Sequence, residues 1–126
     1  MPKKILVVDD DESILKVFEY GLQDAGYVTI TVPNGFDAIE KVKKERYDLV
    51  FLDVRMPRLN GVETFKMLKK IDPQIMAVMM TGYRVDALLK EAFEMGAHAC
   101  IYKPFEMEEI LSIIQKILQE GGRRSS

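Results

Sequence analysis

The stretch Asp48-Leu49-Val50-Phe51-Leu52-Asp53-Val54-Arg55-Met56-Pro57 decides the fold, because a run of apolar residues ends in it on a single carboxylate. A short, continuous apolar run bounded by a turn signal is the pattern of a strand buried on both faces, as in the middle of a parallel sheet. Pro57, which has no backbone N–H to give to a ladder, stops it. Asp53 then stands at the carboxyl end of a central strand, where open α/β sheets gather their ligands.

The same alternation spreads outward in both directions. Ile5-Leu6-Val7-Val8 predicts a first strand, closed by Asp9-Asp10-Asp11. Asp11 is placed to cap a helix on which Ile14, Val17, Phe18, Gly21, Leu22 and Ala25 recur at helical spacing, with Gly26 as its stop. Residues 27–32 are rich in β-branched side chains and predict a second strand, and Pro33-Asn34-Gly35 turns into a helix carrying Ala38, Ile39 and Val42. Beyond the opening stretch, Asn60-Gly61 closes a tight loop, with Gly61 expected to supply a positive φ, and a helix with Phe65, Met67 and Leu68 runs to Asp72-Pro73. Residues 75–80 form a fourth strand in which Met76, Met79 and Met80 fill the core. A helix over 86–95 stops at Gly96, a fifth strand over 99–102 ends at Lys103-Pro104, and a last helix over 107–119 buries Ile110, Ile113, Ile114 and Ile117. Leu111 and Leu118 make a second stripe on that helix. Five strands alternating with five helices predict an α/β fold, a doubly wound parallel sheet with each crossover covering one face.

A chain of 126 residues suits one domain with one core, here 1–120, with 121–126 as a flexible tail or linker stub opened by Gly121-Gly122. The formal net charge of −2 leaves no basic footprint for nucleic acid, and Arg123-Arg124 is too short to make one. The apolar runs fall far short of the roughly 18 residues of a membrane span, and Met-Pro-Lys-Lys is not followed by the apolar length of a secretory signal. A cytoplasmic protein without membrane contact is expected. Cys100 is the sole cysteine, so no disulfide forms within the chain and it reads as a small buried hydrophobe. His98, the sole histidine, falls in the loop before the fifth strand.

Because every strand points the same way, Asp9, Asp10, Asp53, Thr81 and Lys103 gather on one rim. Like charges about 4 Å apart cost ~1 kcal/mol in water and ~4 kcal/mol at an effective dielectric of 20, and a divalent cation relieves that repulsion. Oxygen donors without His or Cys favour a hard ion, and Mg²⁺ takes one or two carboxylates while leaving room for water and phosphate. Thr81 adds a hydroxyl donor and Lys103 a positive charge suited to phosphoryl oxygens. Nucleophilic carboxylate, metal, donor and cation together make a phosphoryl-transfer site.

The joint pattern Val8-Asp9-Asp10, Leu52-Asp53-Val54-Arg55-Met56-Pro57 with Gly61, Met80-Thr81-Gly82 and Lys103-Pro104-Phe105 resembles the receiver domain of bacterial two-component response regulators, from about Lys3 to Gln119. The resemblance implies a flavodoxin-like sheet of order 2-1-3-4-5. It implies Asp53 as phosphoacceptor from a sensor histidine kinase or histidine phosphotransfer protein. Asp10 and Asp53 would ligate Mg²⁺ directly, Asp9 through water, and the backbone carbonyl of Arg55 would complete the set. Thr81 and Lys103 would hold phosphoryl oxygens, and Lys103-Pro104 is a candidate cis bond. The phosphorylated form would alter the face made by the fourth helix, fifth strand and fifth helix for a downstream effector or a missing output domain. Such a protein assists its own phosphorylation without turning over a separate substrate, and a monomer or weak homodimer is expected.

The sequence departs from the family where its aromatic switch usually lies, since Cys100 occupies that position. Tyr102, on the same side of the strand by alternation, and Tyr83, two residues after Thr81, are the two candidates to substitute, and Tyr102 is expected to shape the output face. Arg55, two residues after Asp53, is expected to slow loss of the phosphate. Three rival functions share features of this pattern. Aspartyl-phosphate phosphatases carry a second acidic residue where Arg55 stands. A nucleotide- or flavin-binding domain needs an anion-binding turn where Asp9-Asp10-Asp11 stands. A phosphorylation-independent protein-binding module with a receiver fold is the alternative function.

Overall fold

The computed structural model describes residues 2–83 and 87–121. Along them run β1 (Lys4–Val8), α1 (Glu12–Asp24), β2 (Val28–Val32), α2 (Gly35–Lys44), β3 (Leu49–Asp53), α3 (Gly61–Ile71), β4 (Ala77–Thr81), α4 (Ala87–Glu94), β5 (Ala99–Tyr102) and α5 (Met107–Gly121). The strands form one parallel sheet of order β2-β1-β3-β4-β5. All five residues of β3 are buried, as the opening apolar run predicts for the middle strand. Val50 pairs with Leu6 on one side and Ala77 on the other, which puts Asp53 opposite Met80 and Thr81 opposite Tyr102.

Strand alternation divides the interior into two layers. Leu6, Val50, Leu52 and Met79 face α2, α3 and α4, where Val42, Phe65, Leu68 and Ala92 meet them. Ile5, Phe51, Val78 and Met80 face α1 and α5, where Phe18, Leu22, Ile110 and Ile114 close the other side. Phe18 is the hub of this second layer, with its ring 5.0 Å from that of Phe51 and 5.5 Å from that of Phe105, centroid to centroid. Truncation of such a fully buried ring typically costs about 3–5 kcal/mol. Met76, Met79 and Met80 are all buried, and Leu111 and Leu118 pack partly buried against the α1–α5 layer.

Local signals set the helix ends. Asp11 accepts the Ser13 N–H at 2.9 Å and caps α1, and Asn34 accepts the Asp37 N–H at 2.8 Å and caps α2. Asn60 and Glu63 form a reciprocal capping box on α3, with bonds of 2.8 and 2.9 Å. After α1 and α4 the chain turns through Gly26 (φ 96°) and Gly96 (φ 101°). Strand ends move by one or two residues from the expected bounds. The Tyr27 N–H is drawn back to the Leu22 carbonyl at 2.9 Å, which delays β2, and the Ile75 N–H closes a turn onto Asp72 at 3.0 Å, which delays β4.

One expectation is corrected. Gly61 does not take a positive φ; it is the first residue of α3, and the positive φ in this loop belongs to Arg58, at 70°. Gly61 is required by crowding, since a Cβ there would collide with the Asp53 carbonyl oxygen. α5 reaches Gly121, two residues past the expected end. Asp86, expected to open α4, and residues 122–126, expected as tail, lie outside the described residues.

Candidate functional site

The expected site residues are delivered by the carboxyl ends of four strands, β1, β3, β4 and β5. Asp9 follows β1 and is held by its own N–H bond to the Val32 carbonyl (3.3 Å), while its Oδ1 accepts the Asp11 N–H at 2.9 Å. Asp53 is the last residue of β3 and Thr81 the last of β4. Lys103 follows β5, and its N–H continues the ladder to the Thr81 carbonyl at 2.8 Å. Asp9, Asp53 and Thr81 are buried, whereas Asp10 is exposed at the mouth.

The carboxylates of Asp9, Asp10 and Asp53 each offer an oxygen within 4.8 Å of the others. Lys103 Nζ lies 2.9 Å from Asp9 Oδ2 and 3.3 Å from Asp53 Oδ1. A cleft of about 310 Å³ is lined by Asp10, Asp53, Thr81 and Lys103 together with Arg55 and Tyr83, with Asp9 buried outside its lining. The Arg55 guanidinium stacks over the Tyr83 ring at 5.4 Å. Thr81 Oγ1 accepts the Tyr83 N–H at 3.1 Å. The Gly61 N–H reaches the Val54 carbonyl at 2.8 Å and closes the loop that leaves Asp53.

The electrostatics follow from crowding negative charge into a buried place. Burial first, and then the neighbouring Asp9 charge, push the Asp53 carboxyl up to about 7, with Lys103 pulling the other way. Burial alone would lower Lys103, but the carboxylates of Asp9 and Asp53 outweigh it and raise its pKa. Lys103 Nζ is close enough to Asp9 Oδ2 for an ion pair, yet that buried oxygen accepts no well-directed hydrogen bond. One lysine therefore leaves the acidic cluster under-compensated. An all-oxygen set, an unsatisfied buried carboxylate oxygen and surplus negative charge fit a hard divalent cation such as Mg²⁺.

The structure thus brings Asp9, Asp10, Asp53, Thr81 and Lys103 together as expected. It adds Asp11 to the cleft wall, which the third acid of Asp9-Asp10-Asp11 signals, and a Lys103–Asp9 pair shorter than Lys103–Asp53, which no local pattern signals. The Lys103-Pro104 bond is cis. Cys100 is half-buried rather than fully buried, and it packs with Tyr102 against the α2–α3–α4 layer, on the same side of β5.

A doubly wound parallel sheet that presents three carboxylates, a hydroxyl and a lysine at the carboxyl ends of its strands defines a class of α/β domain whose chemistry sits on that rim. The family profile of the response regulator receiver domain matches residues 5–115. The chain is 38% identical over 118 residues to sporulation initiation phosphotransferase F of Bacillus subtilis, covering 94% of this chain and 95% of that protein. It is 37% identical over 121 residues to the alkaline phosphatase synthesis transcriptional regulatory protein PhoP of the same organism, covering 96% of this chain but 50% of that protein's length. Among solved structures, the receiver domain protein of Methanospirillum hungatei superposes with a TM-score of 0.91 at 29% identity, covering 95% of this chain and 96% of that one. This chain belongs to the response regulator receiver domain family of two-component systems. Members of that family are signalling domains rather than enzymes of substrate turnover; they bind Mg²⁺ in an acidic pocket and work between histidine kinases and downstream effectors. No helix among the described residues is long and apolar enough to cross a membrane.

Proposed function

We propose that Asp53 is the phosphoacceptor of this chain. A carboxylate oxygen of Asp53 attacks the phosphorus of a phosphohistidine on a sensor histidine kinase or histidine phosphotransfer protein; the P–N bond breaks, the imidazole leaves, and an acyl phosphate forms. The observation that carries this is the position of Asp53 at the end of the central strand, with the Asp9 and Asp10 carboxylates within 4.8 Å and Lys103 Nζ at 3.3 Å. Asp10, Asp53 and the Arg55 backbone carbonyl would hold Mg²⁺ directly, and Asp9 through water. When bound, that ion supplies positive charge where the transferred phosphoryl oxygens gather. Lys103 and Thr81 take the remaining oxygens, Lys103 exchanging its Asp53 contact for the phosphoryl group.

Thr81 turning toward the phosphate would change its contact with Tyr83 and alter the α4–β5–α5 face, with Tyr102 shaping that face in place of the residue at Cys100. A downstream effector protein, or an output domain in a longer chain, reads the change; PhoP, half of which this chain spans, supports the second arrangement. The folded unit is taken as 1–120 with 121–126 as tail or linker. The protein acts in the cytoplasm as a monomer or weak homodimer, without nucleic acid or membrane contact of its own.

The deciding experiment is incubation with Mg²⁺ and acetyl phosphate followed by intact mass measurement. A single phosphoryl gain, lost in Asp53→Asn, supports the assignment. No gain in the folded wild type overturns it in favour of a phosphorylation-independent binding module.

A further inference from the structure

The loop that leaves Asp53 is tied at both ends and strained in the middle. The Val54 N–H bonds to the Met80 carbonyl at 2.9 Å, and the Val54 carbonyl receives the Gly61 N–H at 2.8 Å, so residues 55–60 leave and return to one point. Within that path Met56 is buried and Pro57 has a fixed φ. The Leu59 N–H bonds back to the Pro57 carbonyl at 2.8 Å across Arg58, whose φ is 70°. This is a γ-turn of the rare positive-φ form, built on a residue with a full side chain. Such a conformation persists only where its surroundings hold it.

The surroundings that hold it are the first two residues of α2. The Arg58 guanidinium lies over the Phe36 ring, 5.8 Å from its centroid. Leu59 and Thr64 press on Gly35 so closely that a Cβ there would meet both side chains. Thr64 Oγ1 in turn donates to the Asn60 carbonyl at 2.9 Å, which fixes the end of the loop. Phe36 is half exposed and lines no part of the acidic cleft, so its ring contributes little to the core and touches no reacting group. Its contact with Arg58 is the feature that distinguishes it from an ordinary surface aromatic.

We infer that Phe36 is a positioning residue: by stacking under Arg58 it holds the strained turn that aims the Arg55 backbone carbonyl, and so sets the affinity of the cleft for a divalent cation. The inference rests on the proposed function, in which that carbonyl is a Mg²⁺ ligand. Metal sites respond to groups one shell out because those groups fix the direction of the ligand atom. If the turn relaxes, Asp53 remains at the end of β3 and Asp10 in the turn after β1 while the third protein ligand drifts. The cation is then held less tightly although the fold is unchanged.

The test is a Mg²⁺ titration of ¹⁵N-labelled protein followed in ¹H–¹⁵N spectra, which report folding and affinity together. Phe36→Ala should weaken Mg²⁺ binding by about two- to fivefold, the weight of one exposed cation–π contact. Phe36→Leu, which keeps apolar bulk without the ring face, should weaken it equally, and Phe36→Tyr should restore it. Phe36→Ala combined with Arg58→Ala should be no weaker than either alone. Wild-type affinity in Phe36→Ala, or restoration by Leu, overturns the inference while leaving the cation site standing. Absence of Mg²⁺ binding in the wild type overturns both.

Discussion

Replacing Asp53 by Asn should stabilise the metal-free protein, by an amount that grows with pH. The Asp53 side chain is 7% exposed, and burial with the neighbouring Asp9 charge raises its pKa from 3.8 to about 7 despite Lys103. A carboxyl raised in the folded chain keeps its proton over a range where the unfolded chain has released it. The folded state therefore loses stability as pH rises from about 4 to about 7, and the loss levels off above that. At ~1.4 kcal/mol per unit, the difference is about half a kcal/mol near pH 4 and about 4 kcal/mol near pH 8. Asn has nearly the same shape and carries none of this charge. The assay is urea unfolding in EDTA of wild type and variant near both pH values, read as the gap between their unfolding free energies. The variant should be more stable by about 4 kcal/mol at the higher pH, with the gap nearly closed at the lower. Adding Mg²⁺ near pH 8 should narrow the gap, because a ligand that binds the folded wild type stabilises it by mass action. A gap of equal size at both pH values, or a wild type more stable than the variant near pH 8, would refute the electrostatic account of the cleft.

Lys103→Met removes the ammonium 2.9 Å from Asp9 and 3.3 Å from Asp53 and leaves two buried carboxylates facing each other. Breaking such a pair in metal-free protein should cost about 3 kcal/mol near pH 8, measured by urea unfolding, and millimolar Mg²⁺ should return most of it. Gly61→Ala puts a methyl group against the Asp53 carbonyl, and the forced shift should cost about 2–3 kcal/mol in thermal or urea unfolding while weakening Mg²⁺ binding. An unchanged unfolding midpoint would show that the loop has room to spare. Arg55→Asn removes the guanidinium stacked on Tyr83 at the mouth of the cleft. The phosphorylated variant should release inorganic phosphate several times faster than wild type, and an equal rate would discard the idea that Arg55 shields the phosphate.

What the sequence made legible was whatever is encoded within a few residues. Leu49 to Leu52 announced a strand buried on both faces, and its neighbours on either side in the sheet are indeed β1 and β4. Asp11 announced the start of α1, because a capping side chain bonds to the backbone two or three residues on, whereas Asn34 and Asn60 cap α2 and α3 from stretches that signalled only a turn. The rim of Asp9, Asp10, Asp53, Thr81 and Lys103 followed from parallel strands alone, since like ends collect together. What stayed hidden depends on contacts between distant parts of the chain. Gly61 looked like a turn glycine, but its need is set by the Asp53 carbonyl against which the loop closes. The positive φ fell on Arg58 instead, because loop closure and an aromatic platform in α2 decide that angle. The choice of Asp9 over Asp53 as the nearer partner of Lys103 depends on side-chain reach across the sheet, about which no local pattern speaks.

The ladder bond from the Lys103 N–H to the Thr81 carbonyl carries a mechanical consequence. The residue that would present a hydroxyl and the residue that would present an ammonium are yoked at their backbones, as adjacent teeth of one comb. Neither backbone can advance toward a group on Asp53 without dragging the other. Movement at Thr81 would thus fall to its side chain, whose Oγ1 holds the Tyr83 N–H at 3.1 Å. The edge strand β5 acts as a splint on that half of the rim, leaving the Thr81 hydroxyl and its bond to the Tyr83 N–H as the part that could turn.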